Sequence, residues 1–72
     1  MDSKQTKFFG KFGGEVRKIR LSKGFTLEDM QDFGFSAQHF QKIEKGLKAV
    51  NLYTAHRIAK ALNVGLPKLI KE

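Results

Sequence analysis

The chain has 72 residues and no cysteine, which puts it near the lower size limit for one domain and leaves no disulfide or thiolate–metal framework to staple it. Fourteen Lys and Arg against seven acids give a formal charge of +7, which favours an anionic partner, nucleic acid first. No apolar run approaches the roughly 18 residues a membrane helix needs, and residues 1–7 are polar with no apolar segment behind them, so neither a membrane span nor a signal peptide is expected and the location expected is cytoplasmic.

Residues 1–11 are polar and basic, with a Phe8-Phe9 pair and no clear period. They are expected to form a mobile N-terminal arm, either a frayed terminus or a strap that follows phosphates or pins Phe8 or Phe9 onto the domain. The domain itself is expected over residues 12–72. A first helix is predicted over 13–23, with Val16 and Ile19 inward, Phe12 below them, Arg17, Lys18 and Lys23 exposed, and Gly24 as its stop. Thr26 and Asp29 have capping-box spacing and open a second helix, 27–33, which turns Met30 and Phe33 inward before Gly34 breaks it.

Ser36 is a good N-cap for a third helix, about 37–45, and Gly46 suits the left-handed position past its end. Phe40, Ile43 and Leu47 form one apolar stripe at i, i+3 and i+7. The opposite stripe carries Gln38, Gln41, Lys42 and Lys45, all able to hydrogen-bond and none acidic. After a loop over 47–50, Asn51 caps a fourth helix, 52–62, with Leu52, Ala55, Ile58, Ala59 and Leu62 on one face. Asn63 ends it, and 66–70 is a last short helix that tolerates Pro67 in its first turn. No segment alternates long enough to predict a strand. The expectation is all-α, with five short helices.

Two short helices around a Gly-containing turn, 27–45, are the sequence form of a helix-turn-helix, whose second helix offers its N-terminal residues to base edges in the DNA major groove. This stretch alone is equally compatible with a helical hairpin whose polar face is merely solvated. The charges are segregated: Lys and Arg load the first third and recur at 42, 45 and 48, while Glu28, Asp29 and Asp32 fall between them. On DNA those acids must face away or lie where a helix dipole absorbs them. His39 and His56, the two histidines, show no metal-ligand spacing, and no metal or cofactor is expected. His39 is left either solvated or in contact with DNA. Ser22, Ser36 and Thr54 have no nucleophile context, and no enzyme activity is expected. The Phe residues sit at core spacing, which favours burial over stacking on single-stranded bases.

In this order the elements resemble the Cro/repressor-type helix-turn-helix domains, the XRE family. The matching pieces are Gly13, Val16-Arg17-Lys18-Ile19-Arg20, Lys23-Gly24-Phe25-Thr26, Ile43-Glu44-Lys45-Gly46, Leu52, Ile58-Ala59-Lys60-Ala61-Leu62-Asn63-Val64, Leu66 and Leu69, so the likeness runs from 12 to 70. It implies a compact five-helix, lambda-repressor-like fold that binds duplex DNA sequence-specifically, usually as a dimer, in bacterial or phage transcriptional control. It further implies a structural salt bridge between Arg20 and Glu44. Ala37, Gln38 and Lys42 would face bases, with Ser36, Gln41, Lys45 and Lys48 nearer the backbone. The chain departs from the family in having Leu27 where Gln is common, Val50 where Pro is frequent, and one residue fewer between Thr26 and Glu44.

The expected function is that of a DNA-binding transcriptional regulator. Its rivals are an antitoxin or a restriction-modification controller on the same fold, and a helical adaptor for an acidic protein. A homodimer is expected through Val64, Leu66, Leu69 and Ile70, because so short a last helix does not bury them all; the competing view folds Leu69 and Ile70 back under the first helix.

Overall fold

The computed structural model describes residues 2–70; Met1, Lys71 and Glu72, at the outer ends of the expected arm and domain, lie outside the described residues. Five helical segments follow one another with no strand among the described residues: α1 (Ser3–Ser22), a 3-10 helix (Glu28–Phe33), α2 (Ala37–Glu44), α3 (Leu52–Ala61) and a 3-10 turn (Leu66–Lys68).

α1 begins ten residues earlier than the sequence reading placed it, and the segment set apart as an arm is its first half. The start is fixed by a capping box. The Asp2 carboxylate accepts from the Gln5 N–H at 2.8 Å, and the Gln5 side-chain oxygen accepts from the Asp2 N–H at 3.2 Å. Phe9, Phe12, Val16 and Arg20 then fall on one face at helical spacing, and Phe12, Val16 and Arg20 are buried. The 20-residue helix, about 30 Å long at 1.5 Å per residue, runs the length of a molecule whose longest extent is 32 Å.

The second segment is a 3-10 helix, one residue shorter than the helix predicted there. Thr26 and Asp29 cap it reciprocally, with the Thr26 N–H donating to the Asp29 carboxylate at 2.8 Å and the Asp29 N–H to the Thr26 hydroxyl at 3.1 Å. Ser36 accepts from the His39 N–H at the start of α2, and Asn51 from the Thr54 N–H at the start of α3. Gly46, at φ 74°, turns the chain out of α2 while its N–H donates to Ile43 and that of Leu47 to Lys42, the Schellman pattern. Asn63, at φ 57°, closes α3 in the same way.

One core gathers Phe12 and Val16 from α1, Met30, Phe35, Phe40 and Ile43 around the turn and α2, Ala55, Ile58 and Ala59 from α3, and Leu62 and Leu69 beyond it. Ile19, expected inside, packs against this core only partly buried, and three other residues expected inside are exposed. Leu47 is 64% exposed because the left-handed turn at Gly46 carries it off the stripe begun by Phe40 and Ile43. Leu52 is 72% exposed at the first position of α3, where the core begins only at Ala55. Phe33 ends the 3-10 helix 39% exposed, covered in part by an edge contact with Phe25. Leu69 is fully buried, as the competing view of the C-terminus required, while Ile70 remains exposed.

α1 packs chiefly on α2, and two features make the contact close. Gly13 has no room for a side chain: a Cβ there would land on the Ile43 carbonyl oxygen and 2.6 Å from that of Glu44. Gly14, next along, has nothing within 4 Å. One turn beyond Val16, Arg20 is buried against Glu44, with Nε to Oε2 at 2.6 Å and Nη2 to Oε1 at 3.1 Å, while Nη1 donates to the Phe25 carbonyl at 2.7 Å.

Two predictions follow from this contact. Gly13→Ala should destabilise by about 1–3 kcal/mol, as overpacking does, whereas Gly14→Ala should stabilise by about 0.5–1 kcal/mol through helix propensity; urea unfolding midpoints of the two variants should move in opposite directions. Arg20→Ala or Glu44→Ala should each cost about 3–5 kcal/mol by leaving the other charge buried and unpaired. A double-mutant cycle should return a large part of that cost as coupling energy, and a coupling of zero would show that the pair does not hold the helices.

Candidate nucleic-acid interface

The turn between the 3-10 helix and α2 sets the exposed face of α2, and it is held from three sides. Gly34 sits at φ 88°, a conformation that only glycine adopts without strain, and passes its N–H to the Gln31 carbonyl. Phe35 is buried edge-on to Phe40, with ring centroids 5.3 Å apart. Arg57 reaches over from α3, its guanidinium carbon 4.5 Å from the Phe35 ring centre, and donates to the Phe33 carbonyl at 3.1 Å. A Cβ on Gly34 would come within 2.7 Å of that guanidinium. The sequence reading did not single out Arg57; its only signal was a lone cation on the face of a helix otherwise turned inward.

With Phe40, Ile43 and Glu44 buried, the opposite face of α2 is fixed. Gln38, Gln41, Lys42 and Lys45 are all exposed and lie at i, i+3, i+4 and i+7, one continuous stripe. Ser36 is exposed at the N-cap, its oxygen accepting from the His39 N–H at 3.1 Å, so its hydroxyl proton remains available. Ala37 is half-buried beside it. His39 is exposed on the flank, and Lys48 is exposed in the loop beyond Gly46. The stripe residues share one face of α2, with Ser36, Ala37 and His39 at its N-terminal turn and Lys48 past its C-terminal turn.

Electrostatically the exposed face of α2 carries basic and neutral groups and no acid. Glu44, the only acid in α2, points into the core and is neutralised by Arg20. Asp29 is engaged in its cap with Thr26, while Glu28 and Asp32 remain exposed on the 3-10 helix. An acid-free stripe of amides and ammoniums on a short, rigidly seated helix can donate hydrogen bonds to base edges and to phosphate oxygens. At the boundary of α1 and α2 lies a cleft of about 190 Å³, lined by Arg17, Arg20, Leu27, Gln41, Glu44 and Lys45.

The residues expected at a dimer interface do not share one exposure. Val64 and Leu66 are half-buried, Leu69 is wholly inside and Ile70 is exposed. An apolar cleft of about 200 Å³ lies between the first half of α1 and the start of α3, lined by Phe8, Phe9, Phe12, Val50, Leu52, Ala55 and Ile70, with Asn51 as its polar member. Leu52 and Tyr53 stand 72% and 70% exposed beside it. No helix among the described residues is long and apolar enough to cross a membrane.

No curated protein and no solved structure matches the chain significantly. The helix-turn-helix family model matches residues 16–69, which takes in everything from the middle of α1 to the end of the core. The chain therefore belongs to the Cro/repressor-type helix-turn-helix family, the XRE family, whose members are DNA-binding regulators.

Proposed function

We propose that this protein is a sequence-specific, double-stranded-DNA-binding transcriptional regulator of bacterial or phage type, working in the cytoplasm, with α2 in the major groove. The observation that carries this reading is the acid-free stripe Gln38, Gln41, Lys42 and Lys45 on a helix whose one carboxylate is buried and paired. Gln38 and Lys42 sit centrally on the stripe and read base edges, Gln pairing with adenine and Lys with guanine. Ala37 lies close enough to the N-terminus of α2 to touch a base as well. Ser36, Gln41, Lys45 and Lys48 flank that centre and hold phosphates, and His39 adds a donor at the edge.

Selection of bound fragments from a random duplex pool should yield one preferred site. Gln38→Ala and Lys42→Ala should each relax preference at one position of that site, at a cost of about 1–3 kcal/mol. Unchanged specificity in both variants would refute this docking.

The protein acts as a homodimer in this reading. One α2 spans too few base pairs to compete with non-specific sites, and two-fold pairing places a second copy about 34 Å along the same DNA face. The surface suited to it is the apolar cleft edged by Phe8, Leu52 and Ile70; of the four residues expected at the interface, Ile70 lines this cleft, Val64 and Leu66 are half-buried, and Leu69 belongs to the core. Sedimentation over micromolar to millimolar concentrations, with and without operator DNA, should show a monomer–dimer shift that Leu52→Glu abolishes. A monomer throughout, binding one per site, would rule the dimer out.

A further inference from the structure

The cleft between α1 and α2 has the make-up of an anion seat. Its floor is the Arg20–Glu44 pair, in which the arginine's three nitrogens are already engaged and the two charges cancel. Its walls are Arg17, one turn before Arg20 on α1, and Gln41 and Lys45, one turn apart on α2. All three wall side chains are exposed, and none has a hydrogen-bond or ion-pair partner among the described residues. Glu44 is the only acid in the lining, and its carboxylate is spent. A guanidinium fork, an ammonium and an amide donor around a neutral floor complement a tetrahedral oxyanion, because the planar fork engages two oxygens at once while the ammonium supplies a point charge.

We propose that this cleft seats one backbone phosphate of duplex DNA, with Arg17 as its principal contact. The proposal rests on the DNA-binding reading and extends it to a residue of α1. Gln41 and Lys45 make the connection, since they belong both to the cleft and to the exposed stripe of α2; an anion that fills the cleft therefore touches the edge of the same face. A phosphate held there bridges two helices already locked by the ion pair beneath it, so little ordering cost attends binding. Lys18, the next residue on α1, is exposed but turned about 100° around the helix and lines no part of the cleft. It provides a charge-matched control.

The test is a salt series of the full chain on a random-sequence DNA duplex. Arg17→Ala should lower the slope of log K against log salt by about 1 and weaken binding to all sequences alike, about five-fold at 0.15 M salt. Arg17→Lys should restore the slope, because it keeps the charge. Lys18→Ala should leave both slope and affinity where they are. A scan of single methylphosphonate substitutions on a bound duplex should find one phosphate per protein copy whose neutralisation weakens the wild type and has no further effect on Arg17→Ala. An unchanged slope in Arg17→Ala, or an equal loss in Lys18→Ala, overturns the seat while leaving the DNA reading intact. Failure of the wild type to bind duplex at any salt overturns the DNA reading, and the seat with it.

Discussion

The buried contact of Arg20 with Glu44 and with the Phe25 carbonyl is the interaction on which the rest of the structure depends. It joins three places in the chain: the last turn of α1, the segment five residues on that leads into the 3-10 helix, and, 24 positions away from Arg20, the last turn of α2. Taking two charges out of water costs several kcal/mol per ion, and attraction offsets this only when geometry is good and every remaining donor is satisfied. Here the guanidinium meets the carboxylate through two nitrogens and the backbone through a third, and among the described residues no buried side-chain polar atom is left without a partner. An apolar pair of similar volume would hold the helices together at least as strongly. It would not set their rotation, because apolar contact is indifferent to direction while a bidentate fork is not.

That rotation matters because α2 is only eight residues long, about two turns. A helix so short has too few apolar contacts to define its own orientation. Phe40 and Ile43 anchor one side, and the Glu44 carboxylate fixes the angle at which Gln38, Gln41, Lys42 and Lys45 face outward. The same pairing hides the one charge on α2 that would repel phosphate. Gly13 completes the arrangement by letting the α2 carbonyls approach the α1 backbone, which sets the separation as the ion pair sets the rotation. Arg57 does for the turn what Arg20 does for the helix, tying α3 to the Phe33 carbonyl across 24 positions of sequence.

Much of this was legible in the residues because caps and stops are local chemistry. Ser36, Asn51 and the Thr26–Asp29 pair announce their helix starts, and Gly24, Gly34, Gly46 and Asn63 their ends, through hydrogen bonds that reach at most a few residues. The inward faces of α2 and α3 were readable from Phe40 and Ile43, and from Ala55, Ile58 and Ala59. Periodicity misled at its margins: it extended the α2 stripe to Leu47, past the left-handed Gly46 that ends the regular rotation, and the α3 stripe to Leu52, which keeps the helical register but sits at the first position of the helix, ahead of the core. The first half of α1 was missed because residues 1–11 are polar and basic and carry no clear apolar period, while the Asp2–Gln5 capping box that starts the helix lies at the very front of the chain. Further along, a glycine at 13 is what the close approach of α2 demands. The exposed stripe was legible as a pattern, while the contacts of Arg57 were not, because they depend on an element distant in sequence.

The 3-10 form of the second segment is the least expected element, and chain length accounts for it. The stretch from Thr26 to Glu44 is one residue shorter than the family pattern, yet it must still carry the chain from the end of α1 to the start of α2. A 3-10 helix rises about 2.0 Å per residue against about 1.5 Å in an α-helix. Six residues, 28–33, therefore advance as far as about eight would in α form. Tighter winding recovers the missing length while Met30 stays fully buried and the Thr26–Asp29 box still closes the front. What the tighter winding gives up is the last inward position, where Phe33 swings partly into solvent and finds Phe25 instead of the core. Beyond it, Gly34 at φ 88°, the Phe35–Phe40 edge contact and the Arg57 hydrogen bond to the Phe33 carbonyl set the turn and with it the seating of α2.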